Sequence, residues 1–251
     1  MKIFIPTKGR AIRERKKRTW DHLHDEGLEC TLVIEPQDVK RYEGEGDLLV
    51  MPENDRGIAY ARQFILDQMV EPSWVLDDDL SSCGESKVGG IKPASFLRVL
   101  NMFESDQFSE DVFITGPSYV QSVRKHDQRH WKFNRCCSVF YKIFPDAVKV
   151  PYDVDQKLMQ DLKFVMQNVL AGKVSVMSRH ALFRTATMNS EGGGNEEFYG
   201  ADGLAESMGR RFMDDVPFCH WVHRDNGTVR MAVDWRSVDA EHSYVRGPAV
   251  G

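Results

Sequence analysis

Along this chain, β-forming runs of four or five residues alternate with polar loops and with longer stretches whose apolar positions recur every third or fourth residue. Residues 2–5, 30–34 and 48–51 are such runs, closed by Pro6, by Glu35-Pro36 and by Pro52. Each predicts a buried strand. In residues 58–67, Ile58, Ala61, Phe64 and Ile65 share one helical stripe, which predicts a helix. Ser73-Trp74-Val75-Leu76 is a fourth strand run. The repeated strand–loop–helix order predicts an α/β fold with a mostly parallel central sheet flanked by helices.

Beyond that run the pattern predicts a polar loop at 81–84, a glycine-rich loop at 87–92, a helix at 93–100 and strands at 111–116 and 137–143. Residues 153–172 carry the longest helical pattern, with Leu158, Leu162, Val165, Met166, Val169 and Leu170 on one stripe and Gly172 as the stop. A strand follows at 174–178 and a helix at 201–212. Strands at 216–222 and 229–235 close around the hairpin signal Asp225-Asn226-Gly227. No internal repeat or linker interrupts the order, so residues 1–251 are expected to form one domain with a loose tail from 240.

Composition narrows the class. A chain of 251 residues can bury one sizeable core, and 41% apolar with 28% charged residues excludes wholesale disorder. A net charge of −5 excludes a general polyelectrolyte binder, so any nucleic-acid contact has to be local. Five cysteines without a Cys-x-x-Cys spacing fit a reducing compartment. The opening apolar run is too short for a signal peptide and no stretch could span a membrane, so a soluble cytoplasmic protein with no membrane partner is expected.

The candidate chemistry lies where the fourth strand ends. Asp77, Asp78 and Asp79 are adjacent carboxylates that repel one another, and burying them is costly unless something compensates. A hard divalent cation, Mg²⁺ or Mn²⁺, would do so, sharing one or two carboxylates with a substrate phosphate. The carboxyl end of a strand in an open α/β sheet is where ligands sit. The other reading is a solvated acidic loop. Lys8 and Arg10, flanking Gly9 after the first strand, suit an anionic ligand such as a nucleotide. The rest of the basic run that follows reads as a solvated helix face. Residues 121–135 mix basic residues with His126, His130, Trp131 and Phe133. They could grip a phosphate backbone and stack bases, or form an exposed loop with aromatic anchors.

Taken together, Ile5-Pro6-Thr7-Lys8-Gly9-Arg10, Gly57-Ile58-Ala59-Tyr60-Ala61-Arg62 and Trp74-Val75-Leu76-Asp77-Asp78-Asp79 resemble GT-A glycosyltransferases. More narrowly, the chain is similar to the phage TET-associated glycosyltransferases, which act on hydroxymethylated pyrimidines in DNA. Gln160-Asp161-Leu162-Lys163-Phe164 resembles their acidic helix, residues 189–194 their glycine loop, and 229–236 their closing strand. The helix departs from the family pattern in keeping a single carboxylate.

The resemblance implies a nucleotide-binding half at 1–80, an acceptor and catalytic half at 81–239, a small C-terminal extension on the acceptor side, and a nucleotide-diphosphate sugar as donor, a UDP-sugar first. It implies that Pro6, Thr7, Arg10 and Glu35 frame the base and ribose, with Lys8, Arg56, Tyr60, Arg62, Asp77 and Asp78 also on the donor. Asp79 would bind Mn²⁺ or Mg²⁺, assisted by Asp77. Asp161 would be the general base of an inverting transfer, or would position the acceptor if configuration is retained. Gly192, Gly193 and Gly194 would line the acceptor side. His180, with His220 and His223 as other candidates, would complete the metal shell. DNA carrying 5-hydroxymethylpyrimidine is the implied acceptor, in the host cytoplasm if the protein is viral. The alternatives are a glycosyltransferase or nucleotidyltransferase with a small-molecule or protein acceptor, and a nucleic-acid-binding protein with a degenerate site.

Overall fold

Alternation within short strands decides the layers. The computed structural model describes residues 1–10, 17–122, 130–185, 203–223 and 229–241. Its first four strands are β1 (Ile3–Pro6), β2 (Thr31–Ile34), β3 (Asp47–Val50) and β4 (Ser73–Leu76). Ile3, Ile5, Leu32, Ile34, Trp74 and Leu76 point to one face of the sheet, and Phe4, Val33 and Val75 to the other. The first face is covered by α1 (Thr19–Asp25), α2 (Val39–Tyr42) and α4 (Phe96–Glu104), through Trp20, Leu23, Tyr42, Phe96, Val99, Leu100 and Phe103. The second is covered by α3 (Ile58–Asp67) and α5 (Gln160–Leu170), through Ala61, Ile65, Phe164, Val165 and Val169. Both faces are apolar because both are buried, as strands in a parallel α/β sheet must be.

The sheet continues with β5 (Leu80–Lys87), β6 (Gly90–Ala94), β7 (Val112–Tyr119), β8 (Trp131–Phe133), β9 (Phe140–Ile143) and β10 (Val174–Thr185). Its order is β3-β2-β1-β4-β9-β7-β10-β5-β6, with β8 also on β10. β1 to β4, β6, β7 and β10 point one way and β5, β8 and β9 the other, so the sheet is mostly parallel in direction. Helix α6 (Leu204–Asp215), the antiparallel pair β11 (Cys219–His223) and β12 (Val229–Val233), and α7 (Trp235–Glu241) add to the α3/α5 face. Phe212, Val216, Met231 and Val238 carry that packing. No helix among the described residues is long and apolar enough to cross a membrane.

Several sequence expectations shift. The expected loops at 81–84 and 87–92 are instead the hairpin β5–β6, turning at Val88 and Gly89. β5 has β10 on one side and β6 on the other, so its backbone is satisfied although only Leu80, Cys83 and Gly84 are buried. Trp131 and Phe133 are strand residues, and the Trp131 ring packs edge-on against Phe103 and Phe108. These two aromatics are therefore core anchors and not base-stacking platforms; residues 123–129 of the same stretch lie outside the described residues. In the basic run that follows Arg10, residues 11–16 lie outside the described residues, and α1 begins at Thr19.

The helix expected over 153–172 starts at Gln160, seven residues later than that pattern suggests. Asp153 caps the peptide N–H of Asp155 and takes the Lys163 ammonium at 2.7 Å, which holds 153–159 outside the helix. Met159, at φ 59°, makes the bend. A non-glycine residue in the left-handed region stores local strain.

Where β7 crosses β9, a Cβ built on Gly116 would lie 2.4 Å from the Phe140 carbonyl oxygen. Gly116→Ala is therefore expected to destabilise the protein by about 1–3 kcal/mol, read as a lower urea midpoint, because backbone and not a flexible side chain has to give way. An unchanged midpoint would mean that the two strands separate freely.

Candidate functional site

β1, β2 and β4 end side by side, so the residues that follow them meet at one edge of the sheet. Thr7 follows β1, Glu35 follows β2, and the three aspartates follow β4. Thr19, the first residue of α1, holds the acidic turn. Its hydroxyl donates to the Asp77 carbonyl at 2.6 Å and accepts from the Leu80 N–H at 2.9 Å. Its own N–H donates to the Asp78 carbonyl at 3.2 Å. The sequence reading missed Thr19, because a threonine within a basic run carries no signal of its distant partners.

The three carboxylates diverge from this fixed backbone. Asp78 points inward, 7% exposed, and accepts the Thr7 hydroxyl at 2.6 Å and an ion pair from Arg10. The Thr7 oxygen is in turn 2.7 Å from the Tyr42 hydroxyl, which accepts the Arg10 N–H at 3.0 Å. With the Thr7 proton on Asp78, the Tyr42 hydroxyl donates to Thr7, and the chain Arg10–Tyr42–Thr7–Asp78 is closed. Burial raises the Asp78 carboxyl above its ordinary range, countered by Arg10, Thr7 and Arg18. Burial also pushes the Tyr42 hydroxyl up to about 12. Asp77 turns toward α3 and accepts from Arg62 at 2.9 Å. Burial raises its carboxyl, which Arg62 opposes. Asp79 is half-buried, with Arg10 3.7 Å from its Oδ2.

Other expected donor residues fall into two groups. Lys8 and Glu35 do sit at this edge, but Glu35 is 3% exposed and turned to its own loop. It accepts from the Asp55 N–H at 2.9 Å and the Gln37 amide at 2.6 Å, while Lys8 pairs with Asp55 at 2.6 Å. Pro6 is the last residue of β1, paired with Val33. Arg56 and Tyr60 lie together where β3 leads into α3, the guanidinium 4.9 Å from the ring centre and paired with Glu53 at 2.6 Å.

Asp161, in the first turn of α5, is half-buried and faces the same edge. Its charge acts on Arg62, Asp77, Tyr119 and Tyr141. Among the described residues its carboxylate accepts no hydrogen bond or ion pair, unlike those of Asp77 and Asp78.

His180 is not brought to this cluster. Ala181 pairs with Glu85 and Thr185 with Leu80, so His180 lies opposite the far end of β5, whereas Asp79 immediately precedes its start. At the usual strand rise the separation is about 20 Å. Its ring stacks on His130 at 4.1 Å, where burial and His130 hold its imidazole below the ordinary range. The misplacement arises because β10 runs on to Thr185 instead of ending near 178. Gly192, Gly193 and Gly194 lie outside the described residues.

Among the described residues no three His, Cys, Asp or Glu side chains converge as a metal-binding group. Asp79 and Asp77 carry the carboxylate oxygens that a hard divalent cation such as Mg²⁺ or Mn²⁺ would take, and the remaining ligands would have to come from outside the protein, as phosphate oxygens of a substrate would.

None of the curated proteins compared with the chain matches it. Among solved structures, it is similar to S. aureus TarS residues 1–349, solved with UDP, at 12% identity and TM-score 0.42, over 72% of this chain and 60% of that one. It is also similar to the mannosyltransferase PcManGT from Pyrobaculum calidifontis, solved with GDP-Man and Mn²⁺, at 14% identity and TM-score 0.49, over 76% of this chain and 58% of that one. The chain thus spans about three fifths of the length of these structures. The model of the TET-Associated Glycosyltransferase family matches residues 1–193, which include β1 to β10, the aspartate turn and α5, and the chain belongs to that family.

Proposed function

We propose that the protein is a metal-dependent glycosyltransferase that moves a sugar from a nucleotide-diphosphate donor, a UDP-sugar first, to the hydroxyl of a 5-hydroxymethylpyrimidine in DNA. It rests on the family together with one observation. At a single sheet edge, three carboxylates and two arginines compensate one another beside Asp161, whose carboxylate is uncommitted.

In this reading Thr7, Tyr42 and Asp78 hold Arg10 in place, so a guanidinium stands where a diphosphate would bring negative charge. Asp79, with Asp77 through ribose or water, would hold Mn²⁺ or Mg²⁺. The cation would supply charge neutralisation on the departing diphosphate. Asp161 would take the proton of the acceptor hydroxyl as that oxygen attacks the anomeric carbon with inversion. With retention it would orient the acceptor instead. Because the net charge is −5, the DNA footprint would be a local surface around this edge.

The test is a donor screen. The protein is incubated with Mn²⁺, a panel of nucleotide sugars and DNA containing hydroxymethylcytosine, and the digested nucleosides are weighed. A mass gain of one glycosyl residue is the expected result. Asp79→Ala is expected to raise the Mn²⁺ concentration for half-maximal transfer about tenfold or more, through loss of a charged ligand. Donor hydrolysis with unmodified DNA would instead point to a small-molecule or protein acceptor. The absence of both donor turnover and nucleotide binding would sink the reading.

A further inference from the structure

Arg62 was expected among the groups that contact the donor. Its surroundings give it a different task. The side chain is 4% exposed, and its fork is already engaged. Nη2 donates to Asp77 Oδ1 at 2.9 Å, and Nη1 to Gln160 Oε1 at 3.0 Å. The guanidinium lies 5.7 Å from the Tyr141 ring centre, and Nε is buried without a hydrogen-bond partner among the described residues. Tyr141 is backed in turn by Tyr152, hydroxyl to hydroxyl at 3.3 Å. A donor phosphate could claim the fork only by breaking both bonds, which join two parts of the site. Asp77 directly follows β4 on the donor side, and Gln160 opens α5, one residue before Asp161.

The contact belongs to a seam. The Lys157 ammonium donates to the Arg56 carbonyl at 2.7 Å, and the Tyr152 N–H donates to Gln63 at 2.8 Å, so α3 and its entry hold the segment leading into α5 at three places. That segment ends at Met159 in a left-handed conformation, φ 59°. An unfavourable backbone geometry persists only where its surroundings impose it, and Arg62 with Gln160 is next to that bend.

We infer that Arg62 is a positioning residue, which sets the first turn of α5 and hence Asp161 against the donor-side carboxylate Asp77, and is not a ligand of the donor phosphates. The inference rests on the glycosyltransferase reading for its catalytic consequence, while its structural part stands apart from activity.

The test uses the full chain and the variants Arg62→Lys, Gln160→Leu and Gln160→Glu. Lysine can reach one partner but not both. For Arg62→Lys, kcat for transfer is expected to fall about 30-fold, since a displaced catalytic group loses rate steeply. Donor KM and calorimetric UDP affinity, measured with Mn²⁺, should stay within about threefold, as for loss of an interaction outside donor binding. Gln160→Leu should show the same split at about tenfold in kcat, and Gln160→Glu, which keeps an acceptor for Nη1, should recover most of that loss.

Hydrogen exchange of the first-turn amides of α5 is a second readout, independent of turnover. It should quicken in Arg62→Lys and Gln160→Leu. A tenfold rise in donor KM or in the UDP dissociation constant with kcat near that of the unaltered protein would make Arg62 a phosphate ligand and overturn the inference. Unchanged exchange in α5 would overturn it as well. Should Arg62→Lys not fold, the two Gln160 variants decide alone. If the unaltered protein transfers no sugar, the functional reading fails, while quickened exchange would still uphold the structural link.

Discussion

Asp153→Ala is expected to lower the unfolding free energy by about 3–5 kcal/mol, whereas Lys163→Met should cost only about 1 kcal/mol. The difference follows from which partner is stranded. The Lys163 side chain is 1% exposed, and its ammonium is held by Asp153, Asp215 and, at 3.4 Å, the Gln156 amide oxygen. Asp153 is 19% exposed and Asp215 46%. Removing Lys163 leaves Asp153 with its bidentate Arg211, at 2.9 Å and 3.1 Å, and lets Asp215 turn to water. Removing Asp153 instead leaves a buried ammonium with one half-exposed carboxylate, and it also removes the turn that keeps 153–159 out of the helix. Urea unfolding followed by tryptophan fluorescence measures both. Equal losses would show that the pair's attraction, and not the stranded charge, sets the cost. Burial alone raises the Asp153 carboxyl, but Lys163 and Arg211 outweigh it and hold the group below the ordinary aspartate range. Its contribution is therefore complete at neutral pH and lost as the pH falls through that lowered value.

This clamp also shows where the sequence stops being legible. Strands β1, β2 and β4 could be read because each is apolar on both faces, so an unbroken apolar run marks them in the sequence. The start of α5 could not be read, since it depends on Asp153 meeting Lys163 and on Arg211, 58 residues downstream. β5 was hidden for another reason: its backbone is satisfied on both sides, so its side chains can be polar. At the site, the aspartate turn was visible as an abrupt end to an apolar run. The distribution of its carboxylates was not. It depends on Thr7 and Arg10 on one side and Arg62 on the other, brought in by β1 and α3. Arg62 and Gln160 are 98 residues apart, and no local pattern links them. The same limit misplaced His180. Its position after an apolar run suggested a strand end, whereas β10 passes through it with a break in register between Met177 and Leu182.

Asp161→Asn is expected to reduce kcat by about 100- to 10,000-fold, the usual range for loss of a general base. Asparagine keeps the shape of aspartate and can accept a hydrogen bond, but it cannot take a proton at neutral pH. Asp161 is distinguished from its neighbours by what its carboxylate is not already doing. Asp77 is held by Arg62, Asp78 by Arg10 and Thr7, and Glu35 by Gln37 and the Asp55 N–H, while Asp161 accepts nothing among the described residues. A base needs an available lone pair within reach of the acceptor hydroxyl. Donor affinity should change by no more than about threefold, because the lost interaction belongs to the transition state and not to donor binding. Asp161→Ala should fall as far as Asp161→Asn, and the anomeric configuration of the transferred sugar, read by nuclear magnetic resonance, should be opposite to that of the donor. If asparagine instead keeps a tenth or more of the rate while alanine does not, Asp161 orients the acceptor by hydrogen bonding, and retention at the anomeric carbon is the outcome that must accompany it.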